Sequence, residues 1–261
     1  MKIAVCVKQV PDTETKAKLL PDGTGLDLAA AKWIMNPYDE YGIEEALKQK
    51  EANPGSSVNV YSVGPKKRVA ECLRTALAMG CDEGVVIDAP ESVDNSLTAQ
   101  ALAAAILADG GADIVFAGLL AIDDNAMSVP QMVAENLKYS HTTGITKFSH
   151  SVNKIQVERE IEGGSKEILT LTLPSVVSAH KGLNHPRYAS LPGIMKAKKK
   201  TIKELEFTSL VASGSPAGSA KTKFTNFQLP ADKTAVKMIS GGPASAVSEL
   251  VTLLKQEAKV L

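Results

Sequence analysis

Cysteine is scarce in this sequence, and long apolar runs are absent from it. The three cysteines, Cys6, Cys72 and Cys81, are too few and too scattered to form a disulfide framework or a zinc site. No stretch approaches the roughly 20 apolar residues that a membrane-spanning helix needs. The opening residues, MKIAVCVKQV, have the pattern of a buried strand rather than that of a charged leader. We therefore expect a soluble protein in a reducing, intracellular compartment.

The chain also lacks a net charge. Lysine and arginine total 29, and aspartate and glutamate also total 29, so no overall field attracts nucleic acid or an anionic membrane. A local run, KAKKKTIK at residues 196–203, holds five lysines without interleaved aromatic residues. We interpret this run as a docking surface for an acidic protein partner rather than as a nucleic-acid site.

The common sequence signatures of catalysis are missing. There is no G-x-G-x-x-G after the first strand, no Walker lysine loop and no G-x-S-x-G elbow. Residues 8–12, which follow the first predicted strand, contain no glycine, so a dinucleotide pyrophosphate of the usual Rossmann kind cannot approach the backbone there. Hydride transfer by a nicotinamide is therefore disfavoured. The four histidines are dispersed, and we assign neither a catalytic residue nor a metal ligand.

What the sequence does contain is an alternation of apolar strands and helices. Its continuous apolar runs, typical of strands buried on both faces of a parallel sheet, lie at residues 3–7, 58–63, 85–87 and 114–117. After residue 140 the pattern becomes that of an antiparallel hairpin with its turn at Gly163-Gly164, followed by one more apolar strand at 174–179. We predict an α/β fold with a mostly parallel, doubly wound, Rossmann-like sheet and an antiparallel hairpin extension.

Capping and turn residues indicate where the helices begin and end. The first predicted helix starts at Asn36-Pro37, and the second has its apolar face between Val69 and Gly80. Four more helices are predicted at residues 96–108, after Pro130, at 193–198 and at 244–254. A Pro-Asp-Gly turn within residues 18–28 indicates a small hairpin. Residues 207–230 are rich in serine, glycine, alanine and threonine. We predict a nucleotide-binding domain at 1–206 and a C-terminal arm with a helix at 207–261 that embraces another subunit, the alternative being an unstructured tail.

One stretch, residues 113–137, combines a buried strand, a polar loop and a helix start. Asp123, Asp124 and Asn125 form the loop, and Pro130 suits a first helical position. In a parallel sheet such a loop lies at the carboxyl end of a strand, where backbone N–H groups and the positive helix end face an anion. We place the ligand here. Two alternatives remain open, namely that the loop is an ordinary βα turn and that the two aspartates act as an acid pair.

Seven sequence blocks together resemble a known family. They are VKQVPDT near the amino terminus, NPYDEYGIEEAL at 36–47, SVGP at 62–65, TALAMGCD at 75–82, AGLLAIDDNAMSVPQMVAENL at 117–137, VEREIEGG at 157–164 and LNHPRYASLPGIMKAKKK at 183–200. In this order, and above all in the last block, the chain resembles the beta subunit of electron transfer flavoprotein. The blocks cover about the first 200 residues, and the segment beyond Phe207 has no motif to match.

The resemblance implies an electron carrier rather than an enzyme. It implies a heterodimer with an alpha subunit, in which one FAD, held mainly by the alpha subunit, carries electrons from flavin dehydrogenases, such as acyl-CoA dehydrogenases, to a membrane quinone oxidoreductase. It also implies a structural AMP in this chain. The contacts with that AMP carry over to Cys6, Asn36, Pro37, Tyr38, Asp39, Val63, Gly118, Leu119, Leu120, Ala121, Ile122, Asp123, Asp124, Asn125, Ala126, Met127, Ser128 and Val129.

Three positions, one of them also in that list, match residues of the family that act at its interfaces. Tyr38 corresponds to an aromatic residue that approaches the flavin ring, and Glu160 to an acidic residue that pairs with an arginine of the alpha subunit. Leu191 corresponds to the apolar anchor that docks on dehydrogenases, and we expect Pro186 and Pro192 to hold it. The alternative for Leu191 is an ordinary core position.

Some positions depart from the family pattern. Relatives usually have a polar residue and glutamine at Leu119-Leu120, glutamine at Ser128, glycine at Pro130, and in some cases tyrosine at Thr13. Side-chain contacts with AMP are weakened by these changes, whereas backbone contacts persist.

Two functions compete with the carrier. One is a bifurcating flavoprotein in which a second FAD replaces AMP and NADH is the donor; the other is a stand-alone nucleotide-binding regulatory protein. The lack of a leader favours the bacterial cytoplasm over the mitochondrial matrix.

Overall fold

The computed structural model describes residues 1–211, 218–233 and 235–261. Within them, eleven strands form a nine-stranded sheet and a separate two-stranded sheet. The strands are β1 (Lys2–Cys6), β2 (Gln9–Pro11), β3 (Trp33–Met35), β4 (Ser57–Gly64), β5 (Glu83–Asp88), β6 (Ile114–Gly118), β7 (Ser140–Ser151), β8 (Lys154–Glu160), β9 (Lys166–Thr172), β10 (Ser175–Ala179) and β11 (Ile202–Glu206).

The large sheet is parallel over most of its width. Its order is β11-β5-β4-β1-β6-β10-β7-β8-β9, and every neighbouring pair from β11 to β7 is parallel. Strands β8 and β9 add an antiparallel extension, joined through a 3₁₀ turn at Glu162–Gly164. The predicted mostly parallel sheet with a hairpin extension is confirmed.

Helices cover both faces of this sheet. Those of the described residues are α1 (Pro37–Ala52), α2 (Lys66–Met79), α3 (Asn95–Ala108), α4 (Val129–Leu137), α5 (Leu191–Lys199), α6 (Phe207–Leu210) and α7 (Pro243–Gln256). Apolar residues of α1 and α2 form one core with one face of β1 and β4, and those of α3 and α4 form a second core on the opposite face. The sheet is therefore doubly wound, as predicted.

Local chemistry explains how α1 reaches the sheet. Pro37 occupies the first turn of the helix, and Asn53 ends it by donating its backbone N–H to the Gln49 carbonyl. Gly42 lies where α1 crosses β6, and a Cβ atom there would lie 3.4 Å from the Ala117 carbonyl oxygen. A residue without a side chain therefore lets the helix lie close to the strand.

Four observed strands lie outside the predicted ones, namely β2, β3, β7 and β11. Pro11 ends β2, which pairs with β3 in the small antiparallel sheet. Strand β7 lies ahead of the predicted antiparallel hairpin, and β11 follows the predicted helix at 193–198. The predicted small hairpin at 18–28 is present as an antiparallel bridge between Leu19 and Leu26 on either side of the turn.

The C-terminal arm, residues 207–261, leaves the sheet after β11. Phe207 and Leu210 of α6 pack against the core beneath α3, and α7 has no buried residue among those described. Residues 212–217 and 234 of this arm lie outside the described residues. The division at residue 206 stays a prediction. No helix in the described part of the chain is both long and apolar enough to cross a bilayer.

Candidate functional site

The candidate site lies where the strand order of the sheet reverses. From β1 the chain proceeds outward through β4 and β5 on one side, and then returns to place β6 on the other side of β1. The carboxyl ends of β1 and β6 therefore flank a crevice, which is the usual ligand position in an open α/β sheet. The β6–α4 loop, residues 119–128, borders this crevice together with Lys8 and the first turn of α1.

Asn36 ties α1 to the β6–α4 loop. It occupies the predicted N-cap position, but its side chain makes no capping hydrogen bond. Its amide instead donates to the Leu120 carbonyl over 2.8 Å, and its carbonyl oxygen accepts from the Ile122 N–H over 3.2 Å. Asn36 is 1% exposed. It therefore shapes the loop from below rather than facing a ligand.

Asp39 is a second buried anchor of the same loop. Its carboxylate accepts from the Lys8 N–H at 2.7 Å, from the Asn36 amide at 2.9 Å and from the Gly118 N–H at 3.0 Å. Burial raises the pKa of the Asp39 carboxyl to about 7, and the three N–H donors oppose that rise because they favour the ionised form. The predicted contact residue Asp39 thus has its oxygens occupied by the protein itself.

Gly118 is packed beneath α1. A Cβ atom at this position would lie 2.8 Å from the Tyr38 carbonyl carbon and closer still to the Asp39 carboxylate. The glycine is therefore required for the approach of α1 to the end of β6. Close approach of a ligand is not needed to explain it.

The exposed part of the loop carries charge. Lys8 Nζ lies 2.7 Å from Asp123 and 3.3 Å from Asp124, and Asp124 accepts from the Ala126 N–H. Because Lys8 lies between them, the two aspartates do not form the isolated acid pair that remained open from the sequence. Asn125 and Met127 have positive φ angles of 51° and 48°, which turn the chain toward α4.

The loop ends at the N-terminus of α4. The Ser128 hydroxyl accepts from the Asn95 side-chain amide over 3.0 Å, so its hydrogen is left to be donated elsewhere. Val129 begins the helix, and Pro130 removes one N–H donor from its first turn. A phosphate at this position would have the Ser128 hydroxyl, the remaining amides of the first turn and the positive helix end as partners.

The remaining predicted contacts line the strand ends. Burial raises the pKa of the Cys6 thiol to about 12, so this side chain is a neutral wall of the crevice. Val63, near the end of β4, is half-buried against the core beneath α3. Tyr38 meets the ring of His180 edge-on, with 6.1 Å between ring centroids.

The loop residues fit a mononucleotide held mainly by main-chain groups. The apolar side chains of this region are those of Leu119, Leu120, Ala121, Ile122, Ala126 and Val129. The polar groups available at the surface are the Ser128 hydroxyl, the exposed Asn125 side chain, loop amides and the carboxylates bound by Lys8. Within the described residues, no group of three or more histidine, cysteine, aspartate or glutamate side chains could hold a metal ion.

Sequence reasoning missed three residues of this region. Lys8 lies just beyond the carboxyl end of β1. This position was the signal in the sequence that could have assigned it to the site. Asn95 follows Asp94, whose carboxylate caps α3 by accepting from the Leu97 N–H. His180 follows β10, and its contact with Tyr38 depends on sheet order, which the sequence does not specify.

The two predicted partner-contact residues lie apart from the crevice. Leu191, the first residue of α5, is 74% exposed, so the alternative of a core leucine is wrong. It belongs to residues 181–195, named the docking segment after the role predicted for Leu191, in which Tyr188 is 98% exposed and Met195 55% exposed. Glu160 is exposed at the end of β8, in the antiparallel extension.

The lysine run near the docking segment is only partly available. Lys200 donates to the carbonyls of Cys81 and Asp82, and Lys203 pairs with Asp109. Lys196, Lys198 and Lys199 are exposed at the end of α5. A docking role for the run would therefore rest on these three.

Comparison with known proteins identifies the family. A family model described as the Electron transfer flavoprotein domain matches residues 25–210. The electron transfer flavoprotein subunit beta of Bacillus subtilis is 40% identical over 268 residues, which cover 100% of both chains. The mitochondrial subunit of Oryza sativa subsp. indica is 37% identical over 100% of both chains, and that of Bos taurus is 35% identical over 100% of this chain and 99% of its own. The chain therefore belongs to the electron transfer flavoprotein family as a beta subunit, a class of electron carriers rather than enzymes.

Proposed function

We propose that this chain pairs with an alpha subunit and serves electron transfer from flavin dehydrogenases, such as acyl-CoA dehydrogenases, to a membrane quinone oxidoreductase. The observation that carries the proposal is the similarity to beta subunits over the whole chain. The exposed Leu191 supports it, because an apolar side chain displayed on a folded body is suited to enter a partner's pocket.

The flavin of this carrier is FAD, held mainly by the alpha subunit. When bound, FAD supplies the electron-transfer chemistry, and this chain contributes shape and contacts. Tyr38, whose ring contacts that of His180, approaches the flavin ring from the beta side. Glu160 pairs with an arginine of the alpha subunit, and its exposure at the end of β8 leaves it accessible for that pair.

The β6–α4 loop holds AMP in a structural role. The Ser128 hydroxyl and the amides of the first turn of α4 bind its phosphate, and the ends of β1 and β4 near Cys6 and Val63 line the nucleoside. Asn36 and Asp39 act from beneath by fixing the loop. Bound AMP takes no part in electron transfer.

The C-terminal arm packs on the alpha subunit. Val247, Leu250 and Val251 recur at helical spacing along α7, and they are 60%, 45% and 38% exposed. An apolar stripe of this kind is suited to burial against another chain. We place the carrier in the bacterial cytoplasm, which agrees with the higher identity to the Bacillus subtilis subunit than to the mitochondrial ones above.

The test is to coexpress this chain with an electron transfer flavoprotein alpha subunit from the same organism, purify the complex, and identify the nucleotides released by acid. We expect one FAD and one AMP per heterodimer. Two FAD molecules, or direct oxidation of NADH, would establish the bifurcating alternative. A stable flavin-free monomer in the presence of the alpha subunit would establish the regulatory alternative.

One substitution tests where AMP lies. Ser128→Glu places a negative charge at the start of α4, so AMP should be lost while FAD is retained. Ser151→Glu, at the exposed turn between β7 and β8, is the matched control and should retain both. Retention of AMP by Ser128→Glu would contradict the phosphate position.

A further inference from the structure

The docking segment is attached to α1 by polar bonds to buried carboxylates. The Asn184 side-chain amide donates to the Tyr41 carbonyl at 3.0 Å and to Glu45 at 3.1 Å. Glu45 is only 2% exposed. A carboxylate so far removed from water costs free energy unless hydrogen bonds satisfy it, so this attachment is specific rather than incidental.

Arg187 makes the stronger attachment. Its guanidinium donates to both oxygens of Glu44, from Nε at 2.8 Å and from Nη2 at 3.0 Å, and its backbone N–H donates to Glu44 at 3.1 Å. Nη1 also reaches Glu51 at 2.6 Å. Glu44 is 6% exposed, so this bidentate pair is poorly screened by salt.

The residues that flank Arg187 point the other way. Tyr188 is 98% exposed and Leu191 is 74% exposed, whereas Arg187 turns inward to α1. We propose that Arg187, held by Glu44 and Glu51, is a positioning residue for partner docking, because it fixes the segment that presents Leu191 to the donor dehydrogenase. This inference rests on the docking role proposed above for Leu191.

The same helix reaches the candidate nucleotide site. The first turn of α1 fixes the β6–α4 loop through Asn36 and Asp39, and its middle holds the docking segment through Glu44. Helix α1 therefore sets the position of the docking surface relative to the crevice. A loosened Arg187 would let Leu191 sample orientations that do not fit the donor, which raises the entropy cost of docking.

The experiment uses the complete heterodimer with its cofactors, and an acyl-CoA dehydrogenase as electron donor. Arg187→Gln, Arg187→Lys, Leu191→Ala and the double variant Arg187→Gln/Leu191→Ala are compared by KM for the carrier and by kcat. Arg159→Gln is the matched control. Its guanidinium pairs with Glu167 at 2.6 Å and its side chain is 34% exposed, against 33% for Arg187.

We expect Arg187→Gln to raise KM about tenfold with kcat within about twofold of the unaltered protein. Arg187→Lys should rescue part of the loss, because lysine keeps the charge but not the bidentate geometry. The double variant should be no worse than Leu191→Ala, because Arg187 acts through Leu191. Amide hydrogen exchange should rise in residues 181–190 of Arg187→Gln and stay unchanged in β10, and Arg159→Gln should behave as unaltered protein.

The experiment distinguishes failure of the positioning role of Arg187 from failure of the docking role of Leu191. If Leu191→Ala raises KM but Arg187→Gln does not, the positioning role is wrong and the docking role stands. Additive effects of the two substitutions would also overturn positioning through Leu191. If Leu191→Ala leaves KM unchanged, the docking role itself is wrong, and this inference falls with it.

Discussion

At Gly118 the size of one side chain decides whether α1 can meet the end of β6. Gly118→Ala would place a methyl group 2.8 Å from the Tyr38 carbonyl carbon, and backbone cannot yield as a flexible side chain can. We expect the free energy of unfolding to fall by at least about 2 kcal/mol. Urea denaturation of the purified chain measures this change.

Gly25→Ala is the control for Gly118→Ala. The nearest atom to its added Cβ would be Leu20 Cδ1 at 3.5 Å, an ordinary van der Waals contact. Its unfolding free energy should stay within about 0.5 kcal/mol of the unaltered chain. Equal stability of the two alanine variants would contradict the assigned role of Gly118.

A sequence shows the type and the position of each residue but not its contacts. Predictions for single residues were therefore correct in position more often than in role. Asn36 was placed at the N-cap of α1 correctly, yet its side chain bonds to Leu120 and Ile122, which lie more than eighty positions away. Asp39 was predicted to touch AMP, and the structure occupies its oxygens with protein N–H groups. Whether AMP binds the remaining loop residues stays a prediction.

At the scale of elements, the N-cap residue of α3 connects this helix to the C-terminal arm. Asp94 accepts from the Leu97 N–H at the helix start, and its other oxygen accepts from the backbone N–H groups of Lys221 and Thr222. One carboxylate thus stabilises a helix terminus and holds part of the C-terminal arm against it.

Asp94→Ala should release that part of the arm. The loss of the cap alone should lower the unfolding free energy by about 1 kcal/mol. Trypsin should cut faster after Lys221 and Lys223, measured by mass spectrometry of timed digests. Asp94→Asn keeps an acceptor oxygen and should be cut more slowly than Asp94→Ala; equal rates for the alanine variant and the unaltered chain would refute the tether.

Elements with strong local signals were predicted, and those with weak signals were not. The stripe of Val69, Cys72, Leu73, Ala76 and Leu77 and the closing Gly80 located α2 within a few residues. Strand β7, SHTTGITKFSHS, has few apolar residues and a glycine, and it forms because β10 and β8 pair with it. Strand β11 is likewise rich in charged residues and pairs with β5 across a long sequence separation. Such long-range pairing overrides local propensity.

At the scale of the whole molecule, the fold class and the crevice were predictable, since strand–helix alternation favours a parallel sheet and ligands bind at its carboxyl edge. The separation of Leu191 and Glu160 from the crevice was not, because Glu160 lies on β8, three strands from β6, and Leu191 begins a helix that contacts α2. A local sequence pattern does not specify which strands become neighbours when a connection carries the chain from one side of the sheet to the other.

The arm offers a test at this scale. A chain ending at Val211 keeps the large sheet and α6, so its unfolding should remain cooperative. It should fail to copurify with the alpha subunit, because the stripe on α7 is gone. Leu250→Lys in the full chain changes the stripe alone and should weaken the pairing in the same direction. Undiminished copurification of both variants would refute a role for the arm.

The central place of β1 matters for how the protein is made. This strand precedes both of its neighbours, β4 and β6, in the chain, and β6 ends only at Gly118. Until that point a nascent chain carries an unpaired strand edge, which is open to wrong pairing with other polypeptides. Among the strands of the large sheet, β1 therefore waits longest with both of its edges unpaired during synthesis, and protection by chaperones matters most for it.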